Sequence, residues 1–241
     1  MNTNAAQYNP PDRDQQRKDI RKRMIQVVLQ LLITSALLFL FAGTLDWPMA
    51  WALIAVQVAI LMFNAFYLLS RSPEVVAERS GIRAGTKSWD RVISVVIGVG
   101  ALGLLVVCGL DYRFGWTPPY ALWLYIVGLV CVALGNLLFN WALASNKFFA
   151  TTVRIQDERQ HSVASGGPYR FVRHPGYVGY IGFTLATPLA LGTLWGFVPA
   201  GLVALGMVIR TALEDRALRD ELPGYKDYAA RVRFRLLPGL W

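Results

Sequence analysis

Six apolar runs, at 24–45, 49–69, 92–110, 120–144, 177–191 and 194–213, divide this 241-residue chain. A hydrocarbon core about 30 Å thick takes roughly 20 helical residues to cross. Four of the runs approach or exceed that length. The fifth is short, and the sixth contains Pro199 and runs into Arg210. Only Gly192-Thr193 separates these last two, which predicts a tight helical hairpin. A composition that is 55% hydrophobic and 16% charged, with mean hydropathy +0.40, agrees with an all-α, polytopic integral membrane protein of about six transmembrane helices.

The charges are sorted with the runs. If residues 1–23, 70–91, 145–176 and the tail from Arg210 share one side of the membrane, that side holds 23 of the 24 Lys and Arg, and only Arg113 lies opposite. The positive-inside rule then predicts both termini in the cytoplasm. The net charge of +9 becomes a basic membrane surface suited to anionic headgroups or an anionic ligand. Nucleic-acid binding is excluded, because no basic soluble domain is legible. The first run is too long for a signal-peptide core and no small-x-small site follows it, so the N-terminus is expected to stay uncleaved. Residues 1–23 are expected to form a mobile basic cytoplasmic lead, 24–144 a four-helix scaffold, and 145–241 the working region.

Within the runs, Gln30/Thr34 and Asn136/Asn140 fall at helical spacing, with Gln57 and Asn64 nearby in sequence. Interhelical hydrogen bonding is the plain expectation. The sharper one is that Asn136 and Asn140 line a substrate groove. Trp47, Trp51, Trp89, Trp116, Trp123 and Trp141 cluster at run ends, as interfacial anchors do. Cys108 and Cys131 lack metal-ligand spacing and are expected to be buried small side chains; no metal site is predicted.

The chemistry gathers late in the chain. Both histidines, His161 and His174, lie in segment 145–176. His174-Pro175 places proline at a helix start, where its missing N–H costs nothing. The positive end of that helix, reinforced by Arg170 and Arg173, would make an anion site. Arg210 and Glu214 stand one helical turn apart at a membrane boundary, where an ordinary i,i+4 salt bridge competes with a functional pair.

Four separated motifs, in order, carry a resemblance: Gln156-Asp157-Glu158-Arg159-Gln160-His161-Ser162-Val163-Ala164; Gly167-Pro168-Tyr169; Arg173-His174-Pro175-Gly176-Tyr177-Val178-Gly179; and Arg210-x-x-x-Glu214 with Tyr225-x-x-Tyr228. This pattern resembles the isoprenylcysteine carboxyl methyltransferase family, which is related to the membrane phospholipid methyltransferases. The resemblance implies S-adenosylmethionine as methyl donor, with S-adenosylhomocysteine as product, bound at a cytoplasmic site. The cofactor residues it implies are Gln156, His161, Ser162, Val163, Ala164, Tyr169, His174, Pro175, Gly176, Tyr177 and Glu214. It associates Arg210 with a lipophilic or lipidated acceptor, and leaves Arg210, Glu214 and Arg173 as positioning candidates without naming a catalytic base. One departure is Glu214-Asp215 where relatives often have two glutamates. Another is a shorter link from Gln156 to His161.

Two other readings stand beside this one. Sterol-type membrane reductases using NADPH also carry Arg-His-Pro-x-Tyr, but with Asn before the tyrosine and an acid shortly after the next glycine, where this chain has Gly176 and Tyr180. A non-catalytic membrane scaffold would leave the His-Pro-x-Tyr and Arg210/Glu214 groups without a purpose.

Overall fold

The computed structural model describes residues 13–241, and those residues are helical with no strand among them. Eight α-helices follow in order: α1 (Arg13–Ala42), α2 (Pro48–Arg71), α3 (Pro73–Glu78), α4 (Ser88–Phe114), α5 (Leu122–Ala144), α6 (Pro175–Leu191), α7 (Phe197–Glu221) and α8 (Tyr225–Arg231). Proline opens α2, α3 and α6 at their first position, with its φ already helical. Gly115 and Gly192, both left-handed, close α4 and α6.

Five helices, α1, α2, α4, α5 and α7, are long and apolar enough to cross a membrane. The sixth expected span is α6, which starts at Pro175 and has 17 residues. At 1.5 Å per residue it is about 26 Å long, short of a full hydrocarbon core. What α6 lacks in length it recovers in packing, for it is the most intimately packed partner of α5. Glycines make that approach possible. A methyl group on Gly179 would come within 2.5 Å of the Gly135 carbonyl, and one on Gly135 within 2.7 Å of the Phe183 nitrogen. Small residues at a helix contact are how membrane helices gain van der Waals contact, since lipid offers no hydrophobic drive between them.

The main apolar core lies where α1, α2, α4, α5, α6 and α7 converge, around Leu38, Leu53, Leu104, Val132 and Ala190. At the other end of the bundle the basic segments fold over one another. Arg154 pairs with Glu78 at 2.8 Å, both buried, and Lys87 donates its backbone N–H to the Val153 carbonyl. The loop between α5 and α6 is thereby fixed to the loop between α3 and α4.

Three expectations are corrected. The basic lead is helical from Arg13, because Asp19 accepts a hydrogen bond from Arg83 at 2.8 Å and Gln26 donates to the Ser80 carbonyl, tying the first turns of α1 to the loop after α3; residues 1–12 of that lead lie outside the described residues. Trp47 is no interfacial anchor: it is buried and stacks on Tyr112, ring centroids 4.2 Å apart. Cys131 is exposed on the outer face of α5, whereas Cys108 is buried as expected.

Candidate functional site

A cleft opens at the basic end, bounded by the α5–α6 loop, the first turn of α6, the end of α7 and α8. It encloses about 90 Å³ and holds about 770 Å³ of empty space up to its open mouth. Of the eleven residues expected to hold a cofactor, all but Pro175 line it. Pro175 is buried behind the cleft as the first residue of α6.

Local chemistry explains the convergence. Gln156 is buried and works inside its own loop: its Nε2 donates to the Phe148 carbonyl at 2.7 Å, and its Oε1 accepts from Arg159 at 2.6 Å. Its backbone N–H donates to Nδ1 of His161 at 3.3 Å, so the neutral imidazole carries its proton on Nε2. His161 packs on Phe148 with ring centroids 4.5 Å apart. Burial, then Arg154 and Arg159, push its pKa down to about 4. It is a neutral donor at physiological pH. Beyond it, Ser162, Val163 and Ala164 make no backbone hydrogen bond among the described residues, although Val163 and Ala164 are half-buried at the cleft wall. Backbone groups so placed ask for a partner.

Gly167 begins the Gly-Pro-Tyr turn with φ +57°, and a side chain there would strike Ser145 and Trp141. The turn seats Tyr169 in the cleft wall, where its carbonyl accepts from the Tyr228 hydroxyl at 2.7 Å. Burial raises the pKa values of Tyr169, Tyr225 and Tyr228, so all three stay protonated. Gly176 is glycine because the Phe149 ring rests on the first turn of α6: a methyl group there would lie 2.7 Å from the ring.

The acids divide sharply. Asp215, 1% exposed, accepts from Arg173 at 2.7 Å, from Arg219 and Arg235 at 3.0 Å each, and from the Tyr225 hydroxyl at 3.0 Å. Glu214, its neighbour, lines the cleft and accepts a short hydrogen bond from the Tyr177 hydroxyl on one carboxylate oxygen. Among the described residues it makes no ion pair, and its other oxygen has no hydrogen-bond partner.

This geometry revises three expectations. Arg210 and Glu214 form no i,i+4 salt bridge. Arg210 instead binds Asp90 at 2.8 and 3.3 Å and the Thr151 carbonyl at 2.8 Å, with its guanidinium 5.5 Å from the Tyr177 ring centroid. The reason is burial: Asp90, wholly buried at the start of α4, needs the cation more than half-buried Glu214 does. Arg173 is not a free donor for an anion, being spent on Asp215 and on the Val232 and Arg233 carbonyls. Arg170 is exposed and bonds the carbonyl of Gly167 in its own turn. Sequence reasoning also passed over Asp90 and the role of Asp215. A lone acid opening an apolar run, beside a basic loop, was the available signal for Asp90.

A second cavity of about 350 Å³, more open than the cleft, lies among α1, α2, α4, α5 and α6. Gln30, Thr34, Gln57, Asn64, Asn136 and Asn140 all line it. Among the described residues none of these side chains makes an interhelical hydrogen bond, which was the plain expectation for them. Asn136 donates to the Val132 carbonyl at 2.9 Å and Asn140 to the Asn136 carbonyl at 2.7 Å, each within α5. Phe139 from this cavity and Phe149 from the cleft meet edge to face, 5.6 Å apart, so the two spaces share a wall.

The comparisons with known proteins agree with the resemblance read from the motifs. Residues 123–222 match the phospholipid methyltransferase family. A probable protein-S-isoprenylcysteine O-methyltransferase of Oryza sativa subsp. indica is 32% identical over 114 residues, covering 44% of this chain and 57% of that one. Protein-S-isoprenylcysteine O-methyltransferase B of Arabidopsis thaliana is 26% identical over 118 residues, 46% of this chain and 57% of the relative. The Dictyostelium discoideum protein-S-isoprenylcysteine O-methyltransferase is 23% identical over 137 residues, 54% of each. The chain thus spans a little over half the length of these three relatives.

Proposed function

We propose that this protein is an integral membrane methyltransferase that uses S-adenosylmethionine to methylate a lipophilic acceptor, a carboxylate of isoprenylcysteine type. The observation that carries the reading is a polar cleft, lined by the motif residues, standing wall to wall with a cavity inside the apolar bundle. A water-soluble donor and a lipid acceptor need that pairing of spaces.

The donor set suits this cofactor. Among the described residues, Glu214 has a carboxylate oxygen without a partner to offer a cation, the backbone groups of Ser162, Val163 and Ala164 are unpaired, and Phe148 and Phe149 line the cleft. The ligand would occupy the open part of the cleft as well as its enclosed floor. When bound, S-adenosylmethionine supplies an electrophilic methyl group on a sulfonium. The chain's own residues then bind, orient and exclude water, which is what an in-line displacement asks of a protein. Tyr177 fixes the Glu214 carboxylate, His161 offers its Nε2–H, and the close α5–α6 contact keeps the far side dry. A carboxylate acceptor has no proton to lose. An amine acceptor would need a base; His161, with its pKa pushed down to about 4, is a weak one, and the Glu214 carboxylate serves the cation of the donor.

The cleft lies at the end of the bundle that carries nearly all the positive charge, and the positive-inside rule places that end, with the C-terminus, in the cytoplasm. Calorimetry on purified protein tests the function: S-adenosylhomocysteine is expected to bind and NADPH is not. Binding of NADPH with no binding of S-adenosylhomocysteine would replace this reading with a membrane reductase.

A further inference from the structure

We infer that Arg79, at the end of α3, is the residue that receives the anionic head of the acceptor. The inference rests on the methyltransferase reading for its substrate, but its evidence is geometric. The guanidinium carbon of Arg79 lies 5.6 Å from the ring centroid of Phe139 and 5.3 Å from that of Phe149. Phe139 belongs to the cavity inside the bundle and Phe149 to the polar cleft. Arg79 lines neither space itself, but its guanidinium lies over the two rings that divide them. A lipid lying in the cavity with its polar end toward the basic face brings its head to this wall, and the methyl group must arrive from the other side of it.

Arg79 is also a cation with unspent capacity there; its neighbour Arg23 is another, but has no contact with the dividing rings. Among the described residues the one side-chain hydrogen bond of Arg79, to the Ala150 carbonyl, is long at 3.5 Å, and no carboxylate lies within ion-pair distance. Arg154, Arg173 and Arg210, in contrast, each have a buried acid: Glu78, Asp215 and Asp90. Arg23 and Arg210 add like charge near Arg79, and burial with those two neighbours pushes its pKa down to about 9. It remains charged at neutral pH, at a cost that an incoming anion would offset. A guanidinium fork matches a carboxylate in two parallel hydrogen bonds, which an ammonium could not do. Arg210, the residue expected to hold the acceptor, has its Nε and Nη2 on Asp90 and the Thr151 carbonyl, which leaves Arg79 the less engaged guanidinium.

The test uses the purified full chain in lipid nanodiscs with three probes: S-farnesylcysteine, its neutral methyl ester and lysophosphatidic acid. Arg79→Gln is expected to weaken binding of the free acid about tenfold or more, the usual loss for one charge-assisted contact. The ester and S-adenosylhomocysteine should bind the variant as they bind wild type, and Arg79→Lys should recover part of the affinity for the acid. In wild type, phenylglyoxal modification of Arg79, followed by peptide mass spectrometry, should be blocked by the acid and not by the ester; that arm needs no variant to fold. Equal weakening of acid and ester would make Arg79 a packing residue and overturn the inference. Dependence on Arg79 for lysophosphatidic acid but not for S-farnesylcysteine would overturn it in favour of a phosphate head. Failure of wild type to bind S-adenosylhomocysteine would sink the methyltransferase reading alone, since the contrast of acid and ester is read without it.

Discussion

Around the cleft at the basic end, charged side chains are partnered across long stretches of sequence: Asp90 with Arg210, Glu78 with Arg154, Asp215 with Arg173 and Arg235. In the space among the helices, the polar side chains answer only to their own helix or, among the described residues, to nothing; Asn136 and Asn140 bond the preceding turn, while Gln30, Gln57 and Asn64 have no side-chain partner there. The difference follows from the cost of leaving each group unmatched. A buried ion without a counter-ion costs several kcal/mol, so ions are matched wherever the chain can reach. A neutral amide in a cavity costs far less, and its hydrogen-bonding capacity is left for an occupant.

If the contrast is sound, Asp215→Asn should have the largest effect. It strands Arg173 among buried groups and is expected to cost about 3–5 kcal/mol of stability, read by thermal unfolding in detergent. A loss below about 1 kcal/mol, the ceiling for exposed pairs, would mean that the cluster behaves as a surface network. Arg210→Ala should cost nearly as much, because Asp90 is left buried and alone. The double replacement Asp90→Leu with Arg210→Leu should recover most of that stability, since a buried pair is often matched by apolar residues. Lack of recovery would show that Arg210 contributes through the Thr151 carbonyl instead.

Glu214→Gln separates binding from folding. Glu214 has no ion pair to lose, so stability should hold, while affinity for S-adenosylhomocysteine should fall by about 1.5–3 kcal/mol in calorimetry. The reverse outcome, a stability loss with affinity intact, would move Glu214 into the structural set with Asp215.

The pH dependence is a smaller effect. With its pKa lowered to about 4 against an ordinary value near 6.5, His161 binds less proton folded than unfolded. Stability is therefore highest above pH 6.5 and falls as pH drops from there toward 4, by at most about 1.4 kcal/mol per unit. Exposure of part of the ring to solvent will reduce that slope. His161→Gln should flatten this part of the stability profile, and an unchanged profile would place the imidazole in water.

Asn136→Leu and Asn140→Leu should have the smallest effect on stability, within about 0.6 kcal/mol, the mean for polar contacts inside membrane proteins. They should shift acceptor KM severalfold without changing the affinity for S-adenosylhomocysteine. A large stability loss would break the contrast between the cleft and the cavity.

Apolar run lengths, the placement of nearly all Lys and Arg, and the prolines and glycines at helix ends were enough to determine a polytopic helical membrane protein, with α6 short and starting at Pro175. The motif residues from Gln156 to Glu214 could be picked out as a set, and all but Pro175 of those named line one cleft. Partner choice among charges was not. Arg210 and Glu214 sit at a spacing that reads as an ion pair, yet Asp90, 120 residues away from Arg210, takes the arginine because it is the more deeply buried acid. Arg173 reads as a free cation beside a helix N-terminus until Asp215 and the C-terminal carbonyls fold over it. Only the tertiary structure could decide these pairings, since the energy of a charge depends on its burial and on which opposite charge comes within reach, and neither is a property of neighbouring residues.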